Sequence, residues 1–236
     1  MRELLGRTVL ISGASSDLGT ACCLGVSKAG ANVLLLDRKQ RQMEGICQQI
    51  EANNSPTPTI IELDFTKARE ADYQNLSESL ANLTQTLDCV VHCGLAAWPL
   101  APVINSKLKN WYQIYEREAL QPMVLVRYLY PLLRKSRSAS VVFCTMNAGR
   151  SGRANWGAVG AAFAALENIS ETLAVEWESQ PIRVNTLDIS NLPSALRTRY
   201  YPGEINNHLD GDCRLLKVLI DLLRTESQTN GQRMTP

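Results

Sequence analysis

The chain has 236 residues, enough for one large α/β domain or two small ones, and enough to bury a core without cross-links. Hydrophobic residues make up 45% and charged residues 20%, and the formal net charge of +1 gives no electrostatic reason to expect nucleic acid or an anionic membrane as partner. Seven cysteines, an odd number that includes the adjacent Cys22 and Cys23, read as reduced thiols of a cytoplasmic protein and not as a disulfide framework.

The first predicted strand, Thr8–Ser12, begins almost at once, with no charged-then-apolar leader before it. No apolar run approaches the ~20 residues needed to span a bilayer. A helix follows over Leu18–Ala29, then strand Asn32–Leu36, helix Gln40–Ala52, strand Thr59–Leu63 and helix Glu70–Leu83. Strand Leu87–His92, helix Trp111–Leu133, strand Ser140–Thr145, helix Trp156–Trp177, strand Ile182–Leu187 and helix Cys213–Arg224 complete the series. Several strands are apolar along their whole length, as parallel strands covered on both faces are. Strand alternating with helix predicts a Rossmann-like, doubly wound parallel sheet with helices on both faces, as a single domain over residues 1–236. The polar tail Glu226–Pro236 is expected to fray.

The first strand runs into Ser12-Gly13-Ala14-Ser15-Ser16-Asp17-Leu18-Gly19, which opens a helix. Glycine permits the sharp turn, and a helix N-terminus offers free N–H groups to a diphosphate. Asp37 ends the second strand where an acid can accept hydrogen bonds from ribose hydroxyls, with Arg38 beside it, and Asp64-Phe65 follows the third strand. Asp17 brings negative charge to the expected diphosphate position and can cap the helix, so a dinucleotide site and a capped helix that binds nothing both remain open.

This turn resembles the Thr-Gly-x-x-x-Gly-x-Gly turn of the short-chain dehydrogenase/reductase family, with Gly13 and Gly19 at the first and third glycines and Asp17 at the second. The resemblance runs through nearly the whole chain. His92-Cys93-Gly94-Leu95 stands where the family has Asn-Asn-Ala-Gly, and Gly149 through Ala158 is similar to a bacterial subgroup. It implies an NAD(P)-dependent oxidoreductase fold with Gly13, Ser15, Ser16, Asp17, Leu18, Gly19, Asp37, Arg38, Asp64 and Phe65 at the cofactor, the acid at Asp37 favouring NAD over NADP.

The same register fixes the family's catalytic positions. Its tyrosine falls on Val159, its lysine on Phe163, its serine on Met146 and its asparagine on Glu118. Valine, phenylalanine and methionine cannot donate a proton or a hydrogen bond to a carbonyl. Asn155–Ala165 contains no tyrosine or lysine, so no small shift of register restores the pair. Asp188-Ile189-Ser190 stands where the family has a Pro-Gly pair. The expectation is a catalytically degenerate member with no catalytic residues, a pseudoenzyme acting as scaffold, partner subunit or dinucleotide-responsive binding protein. The alternative is an NAD(P)-dependent oxidoreductase using non-standard residues such as Glu118, His92, Arg150 or Arg153.

Other features carry simpler readings. His92, with His208 the only other histidine, reads as a structural side chain, and Cys89 and Cys93 lack the spacing of a metal site. Arg197 through Tyr201 reads as a solvated loop where the family places its substrate lid. The small-sided run Gly157 to Ala165 suggests close helix packing in a homodimer or homotetramer.

Overall fold

The computed structural model describes residues 2–204 and 212–236; His208 lies outside them. Strands β1 (Thr8–Ser12), β2 (Asn32–Asp37), β3 (Thr59–Glu62), β4 (Cys89–His92), β5 (Ala139–Thr145), β6 (Ile182–Asp188) and β7 (Arg233–Met234) form one sheet. Every pairing is parallel, in the order β3-β2-β1-β4-β5-β6-β7. The order reverses between β1 and β4, and that switch point opens a crevice beyond the strand C-termini.

Successive side chains along a strand enter opposite layers, so the apolar runs feed two cores. Val9 and Ile11 pack with helices α1 (Asp17–Lys28), α2 (Gln40–Ala52) and α8 (Asp212–Leu223). Leu10 packs with α3 (Glu70–Leu83), α5 (Gln121–Leu133) and the middle of α6 (Gly157–Glu176). All seven residues of β5 are buried, as a central strand covered on both faces requires.

Three elements depart from the sequence reading. The single helix expected over Trp111–Leu133 is α4 (Leu108–Tyr115), a π turn (Glu116–Leu120) and α5. Pro122 accounts for the break, because it has no N–H to give the Glu118 carbonyl four residues earlier. Arg197 to Tyr200 belong to a short helix, α7 (Ala195–Tyr200), capped by the Ser194 side chain and followed by Tyr201 at its C-cap, and not to a solvated loop. The expected frayed tail pairs as β7 with β6, Thr186 opposite Arg233.

Helix α6 reaches the length and mean composition of a spanning helix, but Glu167, Asn168, Ser170 and Glu171 interrupt it, so it is not an unbroken apolar run. Here it packs on the sheet and carries the buried Glu167. That carboxylate accepts from Thr145 Oγ1 at 2.9 Å and pairs with Arg150 at 3.0 Å and Arg233 at 3.3 Å.

Candidate functional site

The turn after β1 is built around close backbone approaches. Gly13 has φ +73°, and a Cβ there would lie 2.4 Å from the Gly94 Cα at the end of β4. A Cβ on Gly19 would lie 2.1 Å from the Gly13 carbonyl oxygen. Both glycines are therefore required by the turn itself. The helix cap is Ser16, whose Oγ accepts from Gly19 N at 3.0 Å, and not Asp17, which is the first residue of α1. The Asp17 carboxylate instead reaches across the crevice and accepts from Ala195 N at 3.0 Å. Its charge in the first turn of α1 favours the helix by ~0.3–1 kcal/mol.

Two adjoining clefts flank this turn and share Ser15, Ser16, Lys39 and Leu95. One, of about 130 Å³, includes Gly13, Asp37, Arg38, Asp64, Phe65 and Arg117 in its lining. The sequence-predicted cofactor residues thus come together, with Asp17 and Leu18 facing the other cleft and Gly19 buried beneath. Asp37 is already engaged: its Oδ2 accepts from Ser15 N at 3.1 Å and Ser15 Oγ at 2.8 Å, and its Oδ1 from Arg38 N at 2.6 Å. Burial raises the Asp64 carboxyl, but hydrogen bonds from Thr66, helped by Arg38 and Lys67, outweigh it and leave the group below its ordinary value. Arg38 Nη1 sits 3.8 Å from Asp64 with half its side chain exposed. This geometry does not single out NAD, because an arginine after β2 equally suits a 2′-phosphate.

The second cleft, of about 350 Å³, lies between the first turn and α7, with Cys93, Leu95, Ile189, Leu196 and Arg199 in its lining. Beyond it the positions expected to be catalytic are packed shut. Met146, Val159 and Phe163 are 2%, 2% and 1% exposed and lie in one apolar cluster with Trp156 and Tyr200. Phe163 fills the space beside Gly149, where an added Cβ would come within 3.0 Å of the Phe163 Cβ.

Glu118 is fully buried at the π turn, its Oε1 accepting from Trp98 Nε1 at 2.7 Å and Ala96 N at 3.2 Å. Burial pushes its carboxyl up to about 7, against the lowering effects of the Trp98 bond, Arg117 and the Ala96 N–H. The same Ala96–Trp98 segment is held from the other side by Tyr200, whose hydroxyl accepts from Trp98 N at 3.1 Å and donates to Ala96 O at 3.2 Å. Burial raises this hydroxyl to about 12. Tyr200, read from the sequence as part of a solvated loop, is instead a buried ionisable group beside the Ala96–Trp98 segment.

The remaining candidates are committed elsewhere. His92 Nδ1 lies 2.7 Å from Ser12 Oγ, and burial, then Arg117, lowers the imidazole to about 3, so it is neutral. Arg150 is paired with Glu167 and, at 3.1 Å, with Asp188. Arg153 donates to Tyr201 Oη at 2.6 Å. Cys93 Sγ lies 3.8 Å from Cys22 Sγ and 4.0 Å from Cys144 Sγ, all three buried. Hydrogen bonding to these two thiols, then burial, raises Cys93 above its ordinary value, which opposes a thiolate nucleophile. Among the described residues no group of three or more acidic, histidine or cysteine side chains is placed to hold a metal.

Comparison with known proteins places this geometry in context. A profile of the short chain dehydrogenase family matches residues 7–202. The chain is 28% identical to an uncharacterized oxidoreductase, YciK, of Escherichia coli K12, over 94% of this chain and 88% of that one. A crystal structure of a putative short chain dehydrogenase from Escherichia coli CFT073 complexed with NADPH superposes with a TM-score of 0.95 at 26% identity, covering 100% of this chain and 98% of the other. A putative short chain dehydrogenase from Pseudomonas syringae superposes with a TM-score of 0.95 at 29% identity, over 99% and 96% of the two chains.

Proposed function

The chain belongs to the short chain dehydrogenase family, is oxidoreductase-like in fold, and from that premise we propose that it binds a nicotinamide dinucleotide without catalysing the family's hydride-transfer reaction. The observation that carries this reading is the packing of Met146, Val159 and Phe163 into one buried apolar cluster. A bound dinucleotide supplies a hydride donor or acceptor. The matching proton must come from the protein, and none of these three side chains can carry one.

The cofactor end fits better. Gly13, Ser15, Ser16, Asp37, Arg38, Asp64 and Phe65 meet around one cleft, with Lys39 at its edge. Arg38 and Lys39 make NADP(H) the first ligand to test, and a structural relative carries NADPH. This replaces the lean toward NAD drawn from Asp37, whose carboxylate is occupied by Ser15. The reading includes a cytoplasmic location, on the strength of seven free cysteines, and a homodimer or homotetramer, on the strength of the small, mostly half-buried residues of α6 from Gly157 to Ala165.

A second reading is an NAD(P)-dependent oxidoreductase working through non-standard residues. The relatives, among them an oxidoreductase and a short chain dehydrogenase complexed with NADPH, favour it over the first. Glu118, a carboxyl raised to about 7 next to the segment that Tyr200 grips, is the observation that favours it structurally. One experiment separates the two. Calorimetric titration with NADPH and NADH is followed by an NADPH-consumption assay on a panel of ketones and aldehydes, beside a relative that retains the tyrosine and lysine. The first reading expects micromolar binding and a rate at least ~10³-fold below the relative, the scale of lost general acid–base catalysis. Turnover comparable to the relative, abolished by Glu118→Gln or Tyr200→Phe, would instead establish the second.

A further inference from the structure

Asp17 and α7 come from opposite ends of the chain and meet across the crevice. The Asp17 carboxylate lies where the first-turn glycine pattern is broken, at the N-terminal turn of α1, and it accepts the N–H of Ala195, the first residue of α7. Both residues line the same cleft of about 350 Å³. The bond therefore bridges its mouth. The far end of α7 is anchored as well, by Tyr200 on the Ala96–Trp98 segment and by the neighbouring Tyr201 on Arg153.

We infer that Asp17 is a latch: its carboxylate stands in for the negative charge of a diphosphate at the α1 N-terminus, holds α7 closed over the crevice in the ligand-free protein, and must be released for a dinucleotide to bind. This rests on the dinucleotide reading above. A helix N-terminus favours one anion, and a diphosphate beside an ionised carboxylate pays like-charge repulsion. Arg199 and Lys39, in the lining of the same cleft, remain to attract the diphosphate once the carboxylate has swung away. Binding to a protein whose competent form is only fractionally populated is weakened by that fraction.

Two variants break the latch in different ways. Asp17→Gly removes charge and acceptor together. Ala195→Pro removes only the N–H, at the first position of a helix, where proline is well accommodated, after Ser194 in the extended conformation that proline requires of its predecessor. The lid carries its own reporter. The Arg199–Tyr200 peptide bond joins an exposed arginine to a buried tyrosine, so trypsin can cut it only when α7 leaves its seat.

In ligand-free protein, mass spectrometry should show cleavage after Arg199 about 3–10-fold faster in both variants than in wild type, the scale of one partly exposed hydrogen bond. NADPH affinity measured by calorimetry should rise by a similar factor in both. Ala195→Pro cut no faster than wild type, or binding NADPH no more tightly, would overturn the latch, because the gain in Asp17→Gly would then be charge removal alone. Failure of NADPH to bind all three proteins would sink the dinucleotide reading and the competition with it, while the ligand-free cleavage rates would still decide whether Asp17 holds the lid.

Discussion

Glu118→Gln tests the buried carboxyl at the π turn through its effect on stability. In the folded chain burial raises this group from an ordinary 4.5 to about 7. The folded state therefore holds a proton that the unfolded state has already lost between those two values. Because the folded state binds more protons, unfolding free energy falls as pH rises through this window. The contribution is fully present below about pH 4.5 and exhausted above about pH 7. At about 1.4 kcal/mol per tenfold change in proton affinity, the difference amounts to about 3 kcal/mol.

Glutamine keeps an oxygen for Trp98 Nε1 and Ala96 N, which lie 2.7 and 3.2 Å from Oε1, and it cannot ionise. Urea unfolding of both proteins from about pH 4 to about pH 8 should give unfolding free energies within about 0.5 kcal/mol at the acid end. At the alkaline end the variant should be more stable by about 2–3 kcal/mol, with the denaturant slope unchanged. Parallel stability curves across the range would refute the reasoning, since the pH-dependent share would then belong to other groups.

Gly13→Ala should destabilise the protein by about 3 kcal/mol or more, from a positive φ and a collision with backbone that cannot rotate away. Gly45→Ala, in α2 with nothing within 4 Å, is the matched control and should stabilise by about 0.5–1 kcal/mol. Denaturant midpoints check both, and equal effects at the two sites would contradict the close approach to Gly94. Phe163→Lys restores the family's lysine at a position 1% exposed, and should cost about 3–5 kcal/mol at neutral pH, because the ammonium is taken out of water and the carboxylate one helical turn on, Glu167, is already engaged by Thr145, Arg150 and Arg233. Thermal unfolding at wild-type temperature would show instead that the site admits water.

The fold was legible because six strands are short apolar runs between amphipathic segments, and their predicted bounds differ from the observed ones by two residues at most. β7 escaped notice because Arg233-Met234 has neither length nor apolar character; it is a strand through its pairing with β6 and the Arg233–Glu167 ion pair. The cofactor-side residues were legible from glycine chemistry and strand ends, and seven of the ten, all but Asp17, Leu18 and Gly19, line one cleft. What periodicity cannot report is which distant residues pair. Ser15 with Asp37, Asp17 with Ala195, and Tyr200 with Trp98 are separated by 22, 178 and 102 positions. Each changed the role its residue was expected to have. The break at Glu118 was readable in principle, four residues before Pro122, but only once that segment is known to stay helical on both sides.

Glu167 has a consequence before folding is complete. It is the eleventh of the twenty residues of α6, so a nascent helix would carry a carboxylate at its midpoint. In the insertion machinery that decides whether a segment enters lipid, an acid at that depth costs about 2.5–3.5 kcal/mol. The residue that ties Arg150 and Arg233 together in the finished sheet thus also biases the emerging segment away from mis-sorting into a bilayer.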